Sequence, residues 1–220
     1  MPRTVSVLVV TAVRQEMDRS VIGADPAVRV LVTGVGQRNV HRSLGPFLRE
    51  NAVRLLISAG FSGGVRPGYR VGDLVMASEV LDEHSAGRWK PSKPPESWNG
   101  RIASGPFITA SSVVRSSASK KEIGMRTAAA AVDMESAAVA ALAEAAGVPW
   151  VAIRAILDPM EADLMVGSLP EACALMMRPS RWADLRRFLA SVKVARRSLA
   201  EGIRFLMDVN SEVLQEQRSN

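Results

Sequence analysis

The stretch AVDMESAAVAALAEAAGVPWVAIRAILD, residues 131–158, carries a helical segment followed by a buried apolar run. Residues 135–146 are rich in alanine, the best helix former, and Gly147 predicts the point where the helix ends. The run Val151-Ala152-Ile153 that follows Pro149 is continuously apolar, which is typical of a strand buried on both faces. A helix that leads into such a strand is the repeating unit of an α/β fold.

Outside this stretch, the same alternation of apolar runs and helical patterns extends along the chain. Further strand-like runs occupy residues 5–10, 28–32, 55–57 and 74–76. Residues 39–50 predict a helix whose apolar side carries Val40, Leu44, Phe47 and Leu48. We therefore predict a single α/β domain with a mostly parallel central mixed sheet flanked by helices.

The remaining segments are interpreted from their periodicity and turn residues. Residues 181–214 repeat apolar side chains every three or four positions, a pattern of core or interface packing. Residues 82–101 hold several prolines and charges, which predicts a long surface loop. We expect the domain to span residues 1–214 and residues 215–220 to form a frayed tail.

The composition limits the class of protein. The chain has 220 residues, of which 47% are hydrophobic and 23% charged, as expected for a well-buried domain rather than a disordered chain. Its one cysteine, Cys173, allows no intrachain disulfide, so we expect a reducing compartment and a cytoplasmic protein. The chain opens without a signal-peptide pattern, and no apolar stretch reaches the roughly 18 residues of a membrane span.

Metals, cofactors and nucleic acid are not expected as ligands. Two histidines and one cysteine cannot supply a Cys/His zinc cage, and no carboxylate cluster stands out. The net charge of +6 arises largely from basic residues late in the chain, and such a face attracts nucleic acid or anionic lipid. A solvated helix face explains the same charges, and no aromatic residues interleave with them as in a strand that stacks on bases.

Two glycine-rich segments follow predicted strands. Gly60-Phe61-Ser62-Gly63-Gly64 would let the backbone approach a ligand closely, although a tight turn explains it equally well. Gly34-Val35-Gly36 suggests a dinucleotide site, but the third glycine of that fingerprint would fall on Asn39. A dinucleotide-binding function is therefore not favoured.

Acidic residues stand near the ends of several predicted elements. Asp133 and Glu135 flank Met134 at the start of a helix, where acids also serve as ordinary caps. Asp158 follows a buried strand, with Arg154 four residues before it, and Glu16 follows the first strand. Because ligands of open α/β sheets collect at the carboxyl ends of strands, these acids are candidates for a site.

Taken in chain order, four blocks resemble the purine nucleoside phosphorylase and nucleosidase superfamily, particularly its methylthioadenosine/S-adenosylhomocysteine nucleosidase branch. The blocks are residues 11–17, 33–36, 58–73 and 131–158. The last is the most specific, with Asp133-Met134-Glu135-Ser136-Ala137 and a strand-like run that ends in Asp158. The resemblance covers residues 5–160 and implies an enzyme that cleaves the N-glycosidic bond of a purine nucleoside.

The resemblance implies a role for each matching residue. Asp158, with a pKa raised by burial, would protonate N7 of the purine, Glu16 would activate water, and Arg154 would fix the carboxylates. Glu135 would hold the ribose hydroxyls and Met134 would pack under the sugar. The substrate-binding set implied by the resemblance is Gly60, Phe61, Ser62, Val113, Asp133, Met134 and Glu135.

The nucleophile is interpreted from Glu16. A phosphorylase needs cations around an incoming phosphate, whereas a carboxylate at this position would repel phosphate and activate water. Hydrolysis is therefore favoured, although Arg14 and Arg38 would serve a phosphate if they reached the site. A non-catalytic nucleoside-binding domain is a further alternative, because Phe61-Ser62 replaces the Ser-Ala pair common in the family.

The substrate is inferred from positions where this sequence differs from the methylthioadenosine-cleaving members of the family, and from a closer resemblance to one subfamily. Ser111-Ser112-Val113 stands where methylthioadenosine-cleaving members carry an aromatic residue, which leaves Phe107 or Phe61 to stack on the base. Residues 131–136 and Asp158-Pro159 resemble the hopanoid-associated nucleosidases, which release adenine from adenosylhopane. A basic surface and the apolar residues 164–177 would suit contact with membrane lipid, and a buried helix is the alternative. The family commonly forms dimers or larger rings, so a homo-oligomer is expected.

Overall fold

A mixed eight-stranded sheet lies at the centre of the computed structural model, which describes residues 3–17, 28–92, 102–164 and 182–216. Within these ranges the strands are β1 (Arg3–Thr11), β2 (Val28–Val32), β3 (Asn51–Gly64), β4 (Leu74–Asp82), β5 (Arg88–Trp89), β6 (Ala103–Thr109), β7 (Ala131–Asp133) and β8 (Trp150–Asp158). The α-helices are α1 (Gln37–Glu50), α2 (Ser117–Thr127), α3 (Ser136–Ala145) and α4 (Trp182–Glu216).

The strand pairings are mostly parallel. β1 pairs in parallel with β2 and β3, and the pairs β3–β8, β4–β6 and β6–β7 are also parallel. The antiparallel pairs are β3–β7, β4–β5 and β4–β8. The pairings join β3, β7, β6, β4 and β8 in a closed circuit, because β8 bridges β3 and β4. The predicted α/β class with a mostly parallel mixed sheet is confirmed.

Helices cover both sides of the sheet. Leu44 on α1 and Val139 on α3 belong to one buried cluster with Leu56 of β3. Leu199 and Ile203 on α4 belong to a second buried cluster, which contains β-strand residues Val9, Ile57 and Ile153. The apolar stripe predicted over residues 181–214 is thus partly core packing, as the sequence pattern suggested.

Several elements differ from the sequence-based expectation. Residues 60–64 are strand rather than loop, because β3 continues its pairing with β8 and then with β7 up to Gly64. The expected loop over residues 82–101 contains β5, which pairs with β4, and residues 93–101 lie outside the described ranges. Gln215 and Glu216, assigned to a frayed tail, belong to α4.

Further expectations concern Cys173, the apolar stretch 164–177, membrane spans and metal sites. Cys173 and most of the apolar stretch 164–177 lie outside the described residues. No helix in the described ranges has the length and apolar character needed to cross a membrane. Within the same ranges, no group of three or more His, Cys, Asp or Glu residues is placed to hold a metal ion.

Candidate active site

A cavity of about 190 Å³ opens where β3, β7 and β8 end. Eight residues of the predicted set line it: Glu16, Phe61, Ser62, Val113, Asp133, Met134, Glu135 and Asp158. The other two, Gly60 and Arg154, line a smaller adjoining recess. The parallel register explains this grouping, because Gly60 pairs with Arg154 and Gly63 with Asp158.

The carboxylate of Glu16 is held by backbone amides from two parts of the chain. It ends a single 3-10 turn, Arg14–Glu16, and its side chain is buried. Its Oε2 atom accepts hydrogen bonds from the amides of Ala12 at 2.9 Å and Val13 at 3.0 Å, and from the hydroxyl of Thr11. Its Oε1 atom accepts a hydrogen bond from the Phe61 amide at 3.0 Å, so the carboxylate has one fixed orientation.

The absence of a side chain at Gly60 makes room for this carboxylate. A Cβ atom built on Gly60 would lie 3.0 Å from Oε1 of Glu16, closer than a side-chain carbon normally approaches. The glycine therefore permits the close contact between the β1 turn and β3. Gly60 thus contributes to the site by accommodating Glu16, and its predicted contact with substrate stays a prediction.

Asp133 and Arg154 form a buried ion pair beneath the cavity. Two guanidinium nitrogens of Arg154 reach Oδ2 of Asp133, at 2.9 and 2.7 Å. Oδ1 of Asp133 accepts the Thr109 hydroxyl at 2.9 Å and the Ser136 amide at 3.2 Å. Arg154 also donates to the Ser58 carbonyl at 2.9 Å. This network saturates both oxygens of Asp133, so the pair organises the site.

Glu135 lies at the N-cap position of α3 and faces the cavity. Its Oε1 atom accepts the backbone amide of Gly36 at 2.6 Å, where Gly36 caps α1 with a φ of +90°. Burial, together with the negative charge of Asp133, raises the pKa of Glu135 to about 7. The hydrogen bond from Gly36 opposes that shift, so both protonation states of Glu135 are accessible near neutral pH.

Asp158 is the buried acid at the end of β8. Burial raises its pKa to about 6, and the nearby ammonium of Lys120 acts in the opposite direction. Oδ2 of Asp158 forms an ion pair with Lys120, which is itself completely buried on α2. Nothing in the sequence pointed to Lys120, because it stands in a polar segment beside the exposed Lys121. The pKa of Asp158 suits a group that donates a proton near neutral pH.

The aromatic and basic candidates are separated by their positions. Phe61 lines the cavity, whereas Phe107 is completely buried in the core, with the Arg154 guanidinium 6.0 Å from its ring centre. Of the two, only Phe61 is placed to contact a base. Arg14 and Arg38 are exposed, and no lysine or arginine of the described ranges lines the cavity.

Comparison with known proteins agrees with this architecture. A family model described as the phosphorylase superfamily matches residues 19–171. Native futalosine hydrolase of Helicobacter pylori superposes with a TM-score of 0.70 at 17% identity, covering 94% of this chain and 97% of the other. No curated protein sequence matches the chain.

Two further solved structures have the same fold. The 5′-methylthioadenosine/S-adenosylhomocysteine nucleosidase of Neisseria meningitidis, in complex with methylthio-immucillin-A, superposes with a TM-score of 0.71 at 20% identity. The match covers 93% of this chain and 98% of that one. An H. pylori nucleosidase variant with 5′-methylthioadenosine in its active site superposes with a TM-score of 0.70 at 16% identity. The match covers 94% of this chain and 99% of that one.

Proposed function

The chain belongs to the phosphorylase superfamily, and we propose that it hydrolyses the N-glycosidic bond of an adenine nucleoside in the cavity described above. The main support is the placement of two carboxyl groups along β3. Glu16 binds β3 at Phe61, and Asp158 lies beside Gly63. At about 3.3 Å per strand residue, these two points of β3 lie roughly 7 Å apart, and both acids line the same cavity.

In the proposed reaction, each acid handles one proton. Glu16 accepts a proton from water as the water oxygen bonds to C1′ of the sugar. Asp158 donates its proton to N7 of the purine as the C1′–N9 bond breaks, and the bonding electrons leave with the base. Glu135 binds the ribose hydroxyls and Met134 packs under the sugar, which is supported by their position in the cavity.

Water is preferred over phosphate as the nucleophile. The amides of Ala12, Val13 and Phe61 would suit a phosphate oxygen, but the Glu16 carboxylate occupies them. A second anion beside that carboxylate would be repelled, and no cation of the described ranges lines the cavity to offset the repulsion. Phosphorolysis therefore finds little support in the arrangement of the site.

Adenine is the base we propose, with Phe61 as its stacking partner. Of the solved structures with the same fold, one contains 5′-methylthioadenosine and one methylthio-immucillin-A, and a third is a futalosine hydrolase. For the sugar 5′ substituent we propose the lipid tail of adenosylhopane, on the resemblance of residues 131–136 and Asp158-Pro159 to the hopanoid-associated nucleosidases. The apolar cavity residues Val35 and Leu164 are compatible with such a tail.

Peripheral contact with membrane lipid follows from that substrate and has some support on α4. Trp182 and Leu189 of this helix are 50% and 51% exposed, and the cations Arg186 and Lys193 are exposed beside them. Apolar side chains among cations are typical of helices that bind an anionic membrane surface. Salt-dependent binding to anionic vesicles would test this membrane contact. We further propose that the protein is a cytoplasmic homo-oligomer.

The function is tested by adenine release from a panel of adenosine-containing compounds, with and without phosphate. The panel comprises adenosine, 5′-methylthioadenosine, S-adenosylhomocysteine and a 5′-alkyl adenosine. We expect phosphate-independent adenine release that is lost in Asp158→Asn and kept in Glu161→Gln, an exposed acid nearby. Tight adenine binding with no cleavage of any compound would instead support a nucleoside-binding domain. Cleavage that requires phosphate would support a phosphorylase.

A further inference from the structure

Lys120 on α2 lies behind Asp158 and takes no direct part in the proposed reaction. Its side chain is completely buried and does not line the cavity. Besides its ion pair with Asp158, its ammonium donates to the carbonyls of Pro159 at 3.0 Å and Ala162 at 2.6 Å. An ammonium has three N–H donors, and these two carbonyls account for two of them.

The helix that carries Lys120 is held in a fixed position. A Cβ atom on Gly124 would lie 2.0 Å from the carbonyl oxygen of Val65, so α2 packs directly on the end of β3. At the start of α2, the Ser117 amide donates to Oδ1 of Asp163 at 2.6 Å, which ties the helix to the turn after β8. These contacts place the ammonium against the acid before any ligand binds.

The charge of Lys120 needs an explanation beyond packing. Burying an ammonium costs several kcal/mol before its partners compensate, and an apolar side chain of similar length would fill the space without that cost. The ammonium occupies Oδ2 of Asp158, which is sealed from solvent. Oδ1 is therefore the oxygen that Asp158 can present to a ligand.

We propose that Lys120 is a positioning residue for the proton donor, holding Asp158 with Oδ1 toward the purine and compensating the carboxylate that forms there. This inference rests on the proposed hydrolysis. In that step the O–H bond of Asp158 breaks, an N–H bond forms at purine N7, and the electrons of the C1′–N9 bond move onto the purine. The negative charge left on Asp158 then lies against the ammonium.

Other charged groups near Asp158 are already paired, exposed or across the cavity. On the elements packed around it they are Arg154, Asp133, Glu161, Asp163, Glu16 and Glu135. Arg154 and Asp133 pair with each other, and Glu161 and Asp163 are exposed. Among the described residues, Lys120 is thus the cation that contacts the Asp158 carboxyl group.

A change in the charge of Lys120 has a defined effect on the titration of Asp158. Removing the ammonium raises the pKa of Asp158, because Lys120 favours its ionised form. The alkaline limb of the kcat/KM profile should then move to higher pH by at least about one pH unit. A nearby opposite charge shifts the pKa of a carboxyl group by about 1–3 units. The value of kcat should fall, because the carboxylate formed during proton transfer has lost its partner. A purely structural role would lower the yield of folded enzyme without moving that limb.

The test compares Lys120→Met with Lys120→Arg and with Lys121→Met, which alters the exposed neighbouring lysine. The full chain is labelled with ¹³C at aspartate carboxyl groups, and the signal absent from Asp158→Asn identifies Asp158. We expect its titration midpoint to rise in Lys120→Met, to stay near the wild-type value in Lys120→Arg, and to be unchanged in Lys121→Met. If Lys120→Met does not fold, Lys120→Gln serves the same purpose.

The NMR titration separates this inference from the proposed function. An unchanged midpoint in Lys120→Met would overturn the role of Lys120, even if the wild-type enzyme cleaves nucleosides. A wild-type enzyme that cleaves no adenosyl compound would overturn the function, while the titration still reports on Lys120. With an active enzyme, the alkaline limb of kcat/KM should move with the midpoint, and a fixed limb would also contradict the proposal.

Discussion

The backbone amide of Phe61 donates a 3.0 Å hydrogen bond to Oε1 of Glu16, joining the turn after β1 to the middle of the cavity. One contact thereby fixes the carboxylate and places a cavity-lining aromatic residue next to it. Two further amides and the Thr11 hydroxyl hold the other oxygen. In the proposed reaction, such preorganised donors would hold the Glu16 carboxylate without reorganisation.

Replacing Glu16 by glutamine should remove the proposed base while leaving an acceptor for the Phe61 amide. We expect adenine release to fall by about 10²–10⁴-fold, the usual contribution of a general base. Steady-state kinetics with and without phosphate measure the effect, and Gln15→Ala at the exposed neighbouring position is the control. Activity restored by phosphate in Glu16→Gln would show that the carboxylate had been excluding that nucleophile.

A methyl group at Gly60 should displace the Glu16 carboxylate, since the added Cβ would lie 3.0 Å from Oε1. Gly64→Ala is the matched control on the same strand, because its Cβ would meet neighbours at 3.5 Å, an ordinary contact. We expect Gly60→Ala to lose on the order of 10²-fold in kcat, as for a misplaced catalytic group, and Gly64→Ala to lose little. Equal losses in the two variants would mean that the strand, rather than Glu16, is sensitive.

Arg154→Met should destabilise the fold, because it leaves the buried carboxylate of Asp133 without its cation. Removing one partner of a buried pair costs about 3–5 kcal/mol in the free energy of unfolding. The exposed pair Arg197–Glu201 offers a control, and Arg197→Met should change the stability by less than about 0.5 kcal/mol. Urea unfolding followed by circular dichroism measures both, and similar values would contradict the structural importance of the Asp133 pair.

Sequence and structure agree best where a residue's role depends on local order along the chain. Asp133, Met134 and Glu135 are consecutive, and their placement at the start of α3 follows from the β7-to-α3 connection. The extent of β3 was missed because the glycines at 60–64 suggest a turn, whereas β7 and β8 supply pairing partners that a single segment does not reveal.

Contacts between distant segments account for what the sequence did not reveal. Lys120 meets Asp158 only because α2 packs on the end of β3, and nothing about a lysine in a polar segment indicates burial. Asp133 lines the cavity, and its oxygens also accept hydrogen bonds from Thr109, which tertiary packing places beside it, and from Arg154, for which the family resemblance implied such a contact. The contacts made by Lys120 and Thr109 emerge only from the three-dimensional arrangement.

The stability of the free protein should depend on pH through Glu135. Its pKa is about 7 in the folded state against an ordinary value of 4.5, so the folded state binds the proton more tightly than the unfolded state. Stability from this group is therefore greatest below pH 4.5 and is lost as the pH rises through 7. Glu135→Gln, which cannot ionise, should unfold less readily than the wild type at pH 8, by about 1–3 kcal/mol.

At pH 5 the two proteins should differ much less, because Glu135 is then protonated in the folded state. Thermal unfolding at several pH values measures this difference, and Glu144→Gln on the exposed side of α3 provides a control that should show no such trend. Glu135→Gln should also weaken ribose binding, so the gain in stability is expected together with a loss of activity. A stability difference that stays constant from pH 5 to pH 8 would mean that Glu135 is not held in an environment that opposes its charge.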